Sequence, residues 1–175
     1  WHKRLSRVGS KILRSFRIFN RSAERKRMHD KVFVDTNIWL YALVENPLDD
    51  RHQRAVNFLS GLVRPIINSQ VIRETCFNLI KKSNRTEQEL QTLLTDWLAT
   101  CELAHSHVGQ HVLASQLRQD KAFSYWDSLI VAAALDAGCT TLYSEDMQHG
   151  RVLHGQLTIV NPLHPTEQPK TPQSP

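Results

Sequence analysis

Short apolar runs alternate with longer stretches of helical periodicity along the body of this chain. Residues 31–34 (KVFV) are apolar and β-branched and stop at Asp35, which is how a buried strand reads. Residues 37–44 are apolar and read as a helix. After the turn pair Asn46-Pro47, residues 49–63 place Ala55, Val56, Leu59, Leu62 and Val63 at helical spacing. Residues 65–68 (PIIN) form a second short strand. Ser69 stands where it can cap a helix over 70–82, which ends in Lys81 and Lys82 as the helix dipole prefers. The Thr86-x-x-Glu89 pair is a capping box for a helix striped by Leu90, Leu93, Leu94, Trp97 and Leu98. Residues 101–104 suggest a strand, and 107–119 another helix. Ser124-x-x-Asp127 opens a helix over 125–137 with Gly138 just past its end. Residues 140–144 (TTLYS) and 157–160 (LTIV) complete the strands. Such alternation predicts a single-domain α/β fold, a parallel sheet with helices on both faces.

Length fits that picture, since 175 residues suffice for one well-filled core. No apolar run approaches the roughly 18 residues of a membrane span. Cys76, Cys101 and Cys139 are odd in number and widely spaced, so they give neither a disulfide framework nor a zinc motif. Apolar neighbours make them buried, reduced thiols, which fits a cytoplasmic setting.

Net charge is +5, but it is unevenly placed. Residues 1–27 carry ten Lys or Arg and one acid, a balance of +9, while residues 28–175 sum to −4. The basic character is confined to the N-terminal segment and is no argument that the body binds nucleic acid. Within that segment Leu5, Val8, Ile12, Phe16 and Phe19 recur near helical spacing between arginines. It reads as a basic amphipathic arm or a transit-peptide-like stretch. Because Met28 stands three residues before the first strand, residues 1–27 are assigned outside the functional domain, 28–164 to the domain itself, and 165–175 to a disordered Pro-rich tail.

The candidate chemistry lies in four acids. Asp35 directly follows the first strand, and Asp146 lies two residues past the strand over 140–144. Asp127 is in the first turn of its helix, and Glu74 is in the second turn of the helix after PIIN. In open α/β sheets ligands gather beyond the carboxyl ends of the strands, so all four fall at one edge. Carboxylates crowded there repel and call for cations, and oxygen ligands select Mg²⁺ or Mn²⁺. Taken singly, each acid is equally well a helix cap, a turn residue or a solvated side chain.

Four segments carry a resemblance to a known family: VFVDTN (32–37), SQVIRE (69–74), SYWDSLI (124–130) and TLYSEDMQ (141–148). Together and in order they resemble the PIN-domain nucleases, most of all the VapC-type toxins of bacterial toxin–antitoxin pairs. That resemblance, running from about Met28 to His164, implies a Mg²⁺- or Mn²⁺-dependent endoribonuclease and a homodimer. It also implies an antitoxin partner that blocks the active site. Asp35, Glu74, Asp127 and Asp146 would hold the metal, with Thr36 and Asn37 supporting them. Some relatives carry a further acid where this chain has His149.

Two other readings compete. An aspartate-nucleophile phosphatase would want an acid two places after Asp35, where Asn37 stands. A PIN-like RNA- or protein-binding regulator without activity would not need all four acids. His105, His107 and His111 lack the Glu of a zinc-protease helix, and there is no phosphate-cradling Gly-rich loop and no G-x-S-x-G elbow.

Overall fold

The computed structural model describes residues 30–83, 85–121 and 123–164. The N-terminal segment and the Pro-rich tail read from the sequence lie outside these. Strands β1 (Val32–Val34), β2 (Ile66–Asn68), β3 (Glu102–Ala104), β4 (Thr141–Tyr143), β5 (Val152–Leu153) and β6 (Leu157–Val160) form one sheet in the order β3-β2-β1-β4-β6-β5. All pairings are parallel except β5 with β6. The sheet is therefore parallel with one antiparallel edge strand, and β5 is an element the hydrophobic pattern did not reveal.

Helices α1 (Thr36–Leu43) and α2 (Arg51–Ser60) connect β1 to β2, and α3 (Ser69–Ser83) and α4 (Glu87–Thr100) connect β2 to β3. Helices α5 (Val108–Lys121) and α6 (Tyr125–Asp136) return the chain to β4. The first two crossovers run outward from β1 in one direction and the third runs back past it. With right-handed crossovers, that reversal puts the two helix groups on opposite faces. Contacts follow this grouping, with α1 against α2 and α3, and α5 against α6.

Central strands are buried on both faces: Phe33, Val34, Ile66, Ile67, Leu142 and Ile159 are essentially inaccessible. Each such side chain stabilises the fold by about 1.5–3 kcal/mol relative to exposure. Trp39 of α1 meets Trp97 of α4 edge-on at 5.0 Å, and Phe58 of α2 meets Tyr143 of β4 at 4.6 Å. The capping box of α4 forms in full, with Thr86 and Glu89 bonding each other's backbone. Gly138 takes φ +70 after the α6 cap, a conformation that favours glycine.

Two expectations change in detail. The cap of α3 is Asn68, not Ser69: its Oδ1 accepts from the Gln70 and Val71 amides, both at 3.1 Å, while Ser69 is the exposed first helical residue. Cys101 and Cys139 are buried, which pushes each thiol up to about 12, but Cys76 is half-buried. No described helix is long and apolar enough to cross a membrane.

Candidate active site

The strand order reverses between β1, from which the chain winds outward, and β4, to which it returns. A crevice opens at such a switch point, beyond the carboxyl ends of the two strands. Register decides what fills it. Val34 lies opposite Tyr143, so the next residues, Asp35 and Ser144, fall side by side. The Asp35 amide donates to the Tyr143 carbonyl at 2.9 Å, and the Ser144 hydroxyl donates to Asp35 Oδ2 at 2.8 Å. Asp35 also caps α1, its Oδ1 accepting from the Thr36 amide at 2.7 Å. Asn37 sits between, its Nδ2 3.5 Å from Asp35 Oδ2 and 3.3 Å from Ser144 Oγ.

Asp35 is buried, 8% exposed. Desolvation raises its pKa to about 7, against the bonds from Ser144 and Thr36, and the negative charges of Glu74 and Asp127 raise it further. Those two acids are thus close enough to be felt. Glu74 is half-buried and held from two elements. The Thr36 hydroxyl donates to its Oε2 and the Gln70 amide to its Oε1, each at 2.9 Å. Gln70 Nε2 also donates to the Trp126 carbonyl at 3.2 Å, tying α3 to the first turn of α6. There Ser124 caps the helix by accepting from the Asp127 amide, and Asp127 is half-buried at the helix N-terminus.

Asp146 lies on the same rim but is exposed, and its charge is felt at the Tyr41 phenol. Between it and Ser144, Glu145 turns the other way. It accepts from Tyr41 at 3.2 Å and from Arg51 at 3.1 Å, and its amide donates to Asn37 Oδ1 at 3.4 Å. Arg51 in turn donates to Tyr41 and pairs with Asp49. Glu145 therefore braces the loop rather than joining the inner acids.

The fold places Glu74 and Asp127 where their charges reach Asp35, and it sets Asp146 on the exposed rim. Among the described residues no three His, Cys, Asp or Glu side chains converge closely enough for direct ligation of one ion. A small cation that keeps much of its water and uses one or two carboxylates suits such spacing, which is the habit of Mg²⁺. A buried carboxyl lifted to about 7 beside two like charges also fits a site that a cation would relieve. The histidines do something else. His107 bonds Asp136 at 3.0 Å, and His149 accepts from the Asn161 amide and packs on His164.

Ser144, Gln70, Tyr41 and Arg51 were not singled out by sequence. Ser144 faces Asp35 because Val34 pairs with Tyr143, a register that the sequence alone does not give. Gln70 and Arg51 act across elements, and no local pattern marks that.

A family profile described as the PIN domain matches residues 32–153. Among solved structures, VapC20 of Mycobacterium tuberculosis, described as a Sarcin-Ricin loop cleaving toxin, is similar with a TM-score of 0.54 at 19% identity, over 66% of this chain and 90% of that one. FitAcB from Neisseria gonorrhoeae is similar with a TM-score of 0.53 at 15% identity, over 76% of this chain and 99% of that one. At these identities the likeness is one of fold. No curated protein matches the chain.

Proposed function

The chain belongs to the PIN-domain family, and from that premise we propose that it is a Mg²⁺- or Mn²⁺-dependent endoribonuclease acting as the toxin of a toxin–antitoxin pair. The observation that carries this reading is the buried Asp35 at the switch point, its carboxyl raised to about 7 with Glu74 and Asp127 beside it. A structural cap needs no burial and no facing acids. A cation-binding carboxylate is served by both.

In this reading Asp35, Glu74, Asp127 and Asp146 are the metal-holding residues. Bound divalent cations supply Lewis acidity at a phosphate oxygen and a water of lowered pKa. The chain's own part is to hold the acids. The Thr36 amide and Ser144 hydroxyl fix Asp35, and the Thr36 hydroxyl and Gln70 amide fix Glu74, so each carboxylate keeps its orientation as charge is drawn in. Arg51 and Tyr41 fix the loop that bears Asp146. An RNA substrate, a homodimer, an antitoxin covering the crevice and a cytoplasmic setting complete the proposal. The chain's likeness to the fold of VapC20 supports it.

The test is cleavage of total RNA by the purified chain with and without Mg²⁺. Asp35→Ala and Asp127→Ala should each lower the rate by at least a hundredfold while circular dichroism shows an intact fold. Metal-dependent cleavage surviving in either variant would refute the assignment.

A further inference from the structure

Gln70 is buried, 6% exposed, one helical turn before Glu74 on α3. A spacing of four puts both side chains on one helix face. Its amide nitrogen lies 2.9 Å from Glu74 Oε1 and 3.2 Å from the Trp126 carbonyl oxygen. An ionised carboxylate and a carbonyl can only accept. The nitrogen of Gln70, not its oxygen, must therefore face both groups, and each of its two protons is committed.

The bond to Trp126 acts on Asp127. The Trp126 carbonyl belongs to the planar peptide unit that ends at the Asp127 Cα. The N–H of that same unit is the Asp127 amide, which donates to Ser124 Oγ at 3.1 Å. The plane that carries Asp127 is thus held twice, by Ser124 on its N–H and by Gln70 on its C=O. Glu74 is held twice as well, with Oε1 on Gln70 and Oε2 on the Thr36 hydroxyl. One buried amide holds one acid by its carboxylate and the other by its backbone. It does so across the sheet edge, because α3 and α6 belong to the helix groups on opposite faces.

We propose that Gln70 is a positioning residue that makes Glu74 and Asp127 take up a divalent cation as one unit. The inference deepens the nuclease reading and rests on it for the identity of the cation site. A carboxylate free to swing must be ordered when the ion arrives, so groups that orient it set affinity without touching the ion. A neutral amide suits this place. Lys or Arg would neutralise Glu74 and compete with the ion, whereas the amide orients the carboxylate and leaves its charge. A tie that served only the packing of α3 on α6 needs no bond to a carboxylate, and an apolar side chain would fill the volume without burying a polar group.

The experiment measures Mn²⁺ affinity of the full chain, without RNA, from the paramagnetic resonance of the free ion. Gln70→Met keeps the length and loses both donors, and it should weaken binding roughly tenfold or more. Gln70→His keeps one N–H and should fall between. Both are repeated in the Glu74→Gln and Asp127→Asn backgrounds. Because Gln70 serves both acids, the loss caused by Gln70→Met should shrink by roughly threefold or more in each. A loss undiminished in Asp127→Asn would show that Gln70 serves Glu74 alone and would overturn the proposal. So would unchanged affinity in Gln70→Met, or a wild-type chain that takes up no Mn²⁺. Circular dichroism and melting in EDTA separate folding from uptake, and if Gln70→Met unfolds the same cycle is read with Gln70→His. RNA cleavage is scored apart. Mn²⁺ uptake coupled through Gln70 in a chain that cuts no RNA supports the proposal and refutes the nuclease reading. Metal-dependent cleavage with Mn²⁺ uptake indifferent to Gln70 refutes the proposal alone.

Discussion

Asp35 is asked to be two things, a helix cap and a buried anion, and these conflict. As a cap it gains the Thr36 amide; as an anion it loses water and faces Glu74 and Asp127. Its folded pKa of about 7 lies above the ordinary value of 3.8, so the folded state holds the proton more tightly than the unfolded one. For an acid shifted this way, folding is unpenalised below about 3.8, and stability falls as pH rises towards 7, staying low above it. Asp35→Asn keeps an acceptor for the Thr36 amide and removes the charge. The variant should be more stable than the wild type at pH 8 by on the order of 1–3 kcal/mol, with the gap vanishing near pH 4. Mg²⁺ should raise the wild-type melting temperature at pH 8 and leave the variant almost unmoved. Thermal melts across pH, with and without the metal, check both; a variant that melts lower at pH 8 contradicts the account.

At the scale of elements, the site depends on helix starts. Asp35 opens α1, Asn68 caps α3 and Ser124 caps α6, so Glu74 and Asp127 are aimed by caps as well as by packing. Asn68 is 4% exposed and serves two amides, whereas Ser69 is exposed. Asn68→Ala should therefore cost about 0.5–2 kcal/mol in chemical denaturation, Asn68→Asp should recover part of it, and Ser69→Ala should cost almost nothing. The reverse order would restore Ser69 as the cap. This pair shows where the sequence was legible and where it was not. Capping boxes, strand ends and apolar stripes are local, and Thr86, Ser124 and Asp35 fell where the pattern put them. Choosing between adjacent cappers Asn68 and Ser69 needs the last paired residue of β2, which parallel pairing with β3 sets. Strand β5 has two residues, one of them exposed Val152, and owes its existence to antiparallel pairing with β6. The acids were visible because strand ends mark the sheet edge. Their ranking, with Asp35, Glu74 and Asp127 inside and Asp146 on the rim, was not, since it follows from side-chain reach across elements.

For the whole molecule, the direction of the strands fixes the edge at which the described body begins. The chain enters β1 at its amino end, where the Lys31 carbonyl accepts from the Thr140 amide, and this edge is opposite the carboxyl ends that carry Asp35 and Ser144. The first described residues, which follow the segment with a charge of +9, therefore lie at the edge away from the candidate site. The described core closes without it: β1 is flanked by β2 and β4, and the far end of the body is pinned where Arg54 donates to the Leu163 carbonyl at 2.6 Å. A chain beginning at Met28 should then melt within about 2 °C of the full chain, since every described strand and helix lies within residues 32–160. Its metal-dependent cleavage rate at saturating RNA should also be unchanged. What should fall is the salt-sensitive part of RNA affinity, because each phosphate neutralised by a basic side chain contributes to the slope of log K against log salt. Binding titrations of both chains over a range of salt concentrations separate these effects. A shortened chain that fails to fold would show that the segment belongs to the domain. A shortened chain with full affinity at every salt concentration would show that the body's own cations supply the electrostatic attraction.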